Sequence, residues 1–109
     1  MSRTTILLLL CLSAGLEAGG DALVRWGLHA PSTSVKTMYF AGGALLLFLY
    51  GYLVNRQPWD FGRLLGAYVA CFFVVAQAIA WVAFDERPTL TMAVGGGLIV
   101  AGGAILSIR

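Results

Sequence analysis

Charge is scarce in this chain. Acidic and basic side chains make up 11% of its 109 residues, against roughly 25% in a soluble domain, so the chain cannot cover a water-facing surface in the usual way. Hydrophobic residues reach 60%, which excludes a disordered chain as well. A formal net charge of +2, scattered along the sequence, is too weak for nucleic-acid binding. Cysteine is sparse: Cys11 and Cys71 lie in apolar segments, lack metal-ligand spacing, and read as small apolar residues without a disulfide. The one histidine, His29, falls at a helix end and reads as interfacial. No catalytic set, metal site or cofactor is expected, and the chain does not read as an enzyme.

Proline is rare too, and its three positions are informative. Pro31, Pro58 and Pro88 each fall in a short polar stretch between long apolar runs, where a missing donor and a restricted preceding residue stop a helix. Four spans result, over about 5–28, 35–54, 61–84 and 89–107, each near the ~20 residues that cross a bilayer. The fold class is therefore all-α, an integral membrane four-helix bundle forming one domain over 1–109. Arg3, a short apolar run and Ser13-Ala14-Gly15 imitate a cleavable signal. The apolar segment nevertheless continues to Leu28, which favours a first spanning helix.

Three short loops make successive helices antiparallel neighbours. Lys and Arg divide almost evenly between the two sides: Arg3, Arg56 and Arg109 against Lys36 and Arg87, with Arg63 and Arg25 just inside their respective ends. The positive-inside rule gives little orientation preference, which permits insertion both ways round and an antiparallel dimer.

Glycine, by contrast, is abundant, with 14 residues. On the fourth helix, Gly95 pairs with Gly102, and Gly96 with Gly103, at seven-residue spacing. Each pair shares a helix face, and small residues let helices approach closely in lipid. All four are dimer-packing candidates. Gly15 with Gly19 and Gly62 with Gly66 add GxxxG pairs that point to a close-packed bundle.

The charges that do occur inside spans carry the functional argument. Glu17 follows an eleven-residue run of mostly leucine, Ile6 to Leu16. A charge at the centre of a spanning helix costs about 2.5–3.5 kcal/mol on insertion scales, so it marks function by default. Ser13, Glu17, Gly20 and Asp21 lie within one face of helix one, and Arg25 follows Asp21 at i, i+4. On helix three, Arg63, Gln77 and Trp81 fall on one stripe. The expectation is that the two stripes face a shared, partly hydrated cavity. There Glu17 serves as a titrating site where proton and substrate are alternatives. The structural reading is a set of ion pairs in which Arg25 or Arg63 neutralises the acids.

At this point the chain resembles the small multidrug resistance family, within the wider drug/metabolite transporter superfamily, over most of its length. Glu17-x-x-Gly20-x-x-Leu23-x-Arg25 is similar to that family's helix-one pattern, and Gly95-x-x-Leu98-Ile99-x-x-Gly102 to its helix-four dimerisation motif. Gly62-Arg63 with Ala67-Tyr68 also resembles a branch of small four-helix proteins related to that family, adding Tyr68 to the cavity-lining candidates. The resemblance implies an antiparallel homodimer in the cell inner membrane, a multi-pass exporter in which two copies of Glu17 share one site. Protons and a small, cationic or polar compound would compete for that site. The chain departs from drug-exporting members at Arg63 and Gly66, where they carry aromatic residues, and at Asp21, where a small uncharged residue is usual. These departures make the intramembrane charges nearly neutral, which argues against a bulky hydrophobic cation and leaves a small or polar substrate open. Two alternatives stand beside the transporter: a non-transporting subunit with structural ion pairs, and half of a lipid-carrier flippase, a heterodimer with a similar short protein.

Overall fold

The computed structural model describes residues 2–108, and four α-helices account for nearly all of them: α1 (Arg3–Leu28), α2 (Thr33–Asn55), α3 (Phe61–Phe84) and α4 (Leu90–Ile108). Every one is long and apolar enough to cross a membrane. The expected boundaries hold to within two residues at each end.

Local chemistry sets these ends. Ser2 Oγ accepts from the Thr5 amide at 3.1 Å, Ser32 Oγ from Val35 at 3.3 Å and Thr89 Oγ1 from Met92 at 3.2 Å. Three helices thus begin with a side-chain oxygen answering a free amide of the first turn. At the other ends, His29 Nδ1 meets the Arg25 carbonyl at 2.9 Å. Asn55 Nδ2 donates to Gly51 O at 2.8 Å, and Gln57 Nε2 to Leu53 O at 2.9 Å. Asp85 closes α3 in the left-handed conformation (φ 55°), letting the Glu86 amide reach back to Ala80 O at 3.0 Å.

Neighbour relations run α2–α1–α3–α4, with α1 packed on both α2 and α3, and α4 lying on α3. The Cα extents are 48 × 35 × 19 Å, a slab rather than a round bundle. Glycines fix two of the crossings. At α1–α2, Gly20 and Gly43 oppose each other: a Cβ on Gly43 would lie 3.0 Å from Gly20 O, and one on Gly20 would lie 3.1 Å from Gly43 O. At α3–α4, a Cβ on Gly103 would collide with Ala70 and one on Gly96 with the Phe73 ring. The core proper lies where α1 meets α3 and the end of α2, with Ile6, Leu10, Ala14, Val54, Leu64 and Ala67 buried together.

Two arginines bind the last turn of α4. Arg63 donates from Nε to Leu106 O at 2.9 Å and from Nη2 to Ser107 O at 3.1 Å, and Arg3 Nη2 reaches Ile108 O at 3.2 Å. Cationic donors there answer both the unpaired carbonyls and the negative end of the helix dipole.

Candidate functional site

Glu17 sits midway along α1, half-buried between α2 and α3. Tyr68 of α3 is buried and donates its Oη hydrogen to Glu17 Oε1 at 2.7 Å. That length is ordinary for a hydroxyl-to-oxygen hydrogen bond. Tyr50 of α2 stacks on the Tyr68 ring with centroids 5.4 Å apart, and Phe72, one turn beyond Tyr68, lies 6.1 Å from it. These groups line a cavity of about 230 Å³. It joins one carboxylate and one hydroxyl to an aromatic wall, which is what a small ligand with a polar or cationic head requires.

A second cavity, of about 200 Å³, adjoins the first towards the loop end of α1. It is lined by Asp21, Arg25, Phe72, Phe84 and Glu86 among others. Arg25 holds its guanidinium 5.4 Å from the Phe84 ring centroid, and Trp26 packs on Phe84 with centroids 5.3 Å apart.

The other candidates lie elsewhere. Ser13 is fully buried, and its Oγ donates to Leu9 O at 2.8 Å within its own helix. Gly20 is at the α1–α2 crossing, facing α2 backbone and not the cavity. The expected stripe on α3 turns away from Glu17, towards α4, where Ala70 lies against Gly103. Arg63 is engaged with the end of α4 and stacks over Trp59 at 4.2 Å. Gln77 lines the α3–α4 groove with Phe73 and Met92, and Trp81 is 52% exposed on the outer surface. The face of α3 presented to α1 is instead that of Tyr68, Phe72, Ala76 and Ile79. Of the α4 glycines, Gly96 and Gly103 are consumed by packing on α3 of the same chain, whereas Gly95 and Gly102 meet nothing within 4 Å.

Sequence reasoning missed Tyr50, Phe72 and Glu86. Tyr50 carried a faint signal, a hydroxyl inside an apolar span, but tyrosines near helix ends are ordinarily interfacial anchors. Phe72 carried none. Glu86 belonged to a loop that reads as solvated.

Four apolar spans, an intramembrane carboxylate and no soluble appendage among the described residues define a small, multi-span helical membrane protein. Residues 1–108 match the family described as "Uncharacterised BCR, YnfA/UPF0060 family". The chain belongs to the YnfA/UPF0060 family. It is 36% identical to a UPF0060 membrane protein of Herpetosiphon aurantiacus, with 95% of this chain and 92% of the relative covered. It is 34% identical to the UPF0060 membrane protein YfjF of Bacillus subtilis, over 93% and 92% of the two chains. A UPF0060 membrane protein of Nocardia farcinica is 35% identical over 92% and 88%. No solved structure matches the chain.

Proposed function

We propose that this protein is a proton-coupled secondary transporter, related in mechanism to the small multidrug resistance family of the drug/metabolite transporter superfamily. In this reading Glu17 holds either a proton or a small cationic or polar substrate, never both. The observation that carries it is the Tyr68–Glu17 hydrogen bond at 2.7 Å, in an aromatic-walled cavity at membrane depth. Tyr68 occupies Oε1; among the described residues Oε2 takes no protein hydrogen bond, leaving one carboxylate oxygen for the exchanging ligand. Binding a cation neutralises a charge whose burial in lipid is otherwise costly, and so does binding a proton. Competition between the two couples their fluxes.

The working unit in this reading is an antiparallel homodimer in the cell inner membrane. The slab exposes an apolar α4 face bearing Gly95, Leu98 and Gly102, and near-equal loop charges allow either orientation. The chain acts as a carrier and not as an enzyme. Reconstituted into liposomes under a pH gradient, wild type is expected to exchange protons for a small cation. Glu17→Gln, close in shape but unable to titrate, is expected to lose that exchange while eluting at the same size. Undiminished exchange in Glu17→Gln would refute the proposal.

A further inference from the structure

The adjoining cavity has a composition that the exchange site alone does not explain. Asp21 follows Glu17 by one helical turn, about 6 Å along the axis. Its carboxylate opens into the second cavity together with Glu86 from the α3–α4 loop and Arg25 from the end of α1. Those three ionisable groups sum to one negative charge. Phe72 lines both cavities and is the one residue common to the linings of the space around Asp21 and the space around Glu17. Arg25 is drawn over Phe84, at the loop end of the cavity, which leaves Asp21 as the charge nearest the partition. A concave site between low-dielectric walls concentrates the field of such a charge and enriches the counter-ion several-fold or more.

We infer that this second cavity is the vestibule through which a cation reaches Glu17, with Asp21 as its charge-selecting residue and Phe72 as the partition between vestibule and exchange site. The inference rests on the transporter reading above and deepens it. It adds a specificity-determining carboxylate and an access side (the end bearing the α1–α2 and α3–α4 loops).

The test uses thiol labelling, which does not depend on transport. Ala76 lines the vestibule on α3. In a full-length chain with Cys11 and Cys71 replaced by alanine, Ala76→Cys is reacted with 2-aminoethyl methanethiosulfonate, a cation, and with 2-sulfonatoethyl methanethiosulfonate, an anion. Taking the ratio of the two rates cancels differences in thiol reactivity. The cation is expected to react on the order of ten-fold faster. Asp21→Asn is expected to remove most of that preference, and Arg25→Gln to increase it. Phe72→Ala, which joins the two cavities, is expected to raise the cationic labelling rate of Glu17→Cys by a similar factor. Equal rates for both reagents with Asp21 intact, or a preference that survives Asp21→Asn, would overturn the selecting role. An unchanged Glu17→Cys rate in Phe72→Ala would overturn the passage. The liposome exchange of Glu17→Gln stands apart from these rates, so failure of the transporter reading and failure of the vestibule are distinguishable.

Discussion

A carboxylate inside a membrane-spanning helix needs a donor, and Glu17 finds one in Tyr68. A hydrogen bond to a charged group contributes about 1.5–3 kcal/mol. Tyr68→Phe keeps the ring against Tyr50 and deletes the hydroxyl, so the fold is retained while Glu17 loses its anchor. The expected outcome is a KM for exchange raised on the order of ten-fold with unchanged size-exclusion behaviour; an unaltered KM would separate Tyr68 from the site. Glu17 and Asp21 were legible in the sequence because charge in an apolar run is costly wherever the helices end up. Tyr68 was a cavity-lining candidate through the family resemblance alone, and Phe72 as a neighbour of those acids was not legible. Their facing depends on how α3 is rotated about its axis, and Arg63, Gln77 and Trp81 offered a polar stripe that argued for a different rotation.

The helices themselves were readable because three prolines and the polar loops around them mark the breaks between long apolar runs. Which face of each helix meets which neighbour was only partly readable. On α4 the two glycine pairs are offset by one residue, about 100° around the axis, and the spacing treats them alike. Packing separates them: Gly96 and Gly103 lie against α3, while Gly95 and Gly102 look outward. Gly103→Leu therefore forces a side chain into Ala70. Overpacking of this kind costs about 1–3 kcal/mol, and thermal unfolding in detergent should show a lowered midpoint. Gly102→Leu should leave that midpoint in place and, if the outward face carries the dimer, reduce cross-linked dimer instead. Arg63→Gln should loosen the last turn of α4, because the Leu106 and Ser107 carbonyls lose a charged donor worth about 0.3–1 kcal/mol. Faster amide exchange confined to residues near 104–108 would register it.

At the scale of the whole molecule, the slab of α2, α1, α3 and α4 places its central pair around Glu17 and leaves α4 at one edge. A site between the central helices of a thin slab lies close to its surface, and in the proposed dimer a second copy would cover the two cavities. None of this arrangement follows from span lengths, which are the same for a closed bundle and for an open slab. The assignment of Glu17 as a shared proton and substrate site is most directly tested by proton release from purified protein in weakly buffered detergent. Small organic cations and anions are added in turn and the pH change is recorded. Wild type is expected to release protons on adding cations and not anions, and Glu17→Gln to release none. Equal release from wild type and Glu17→Gln would contradict the assignment.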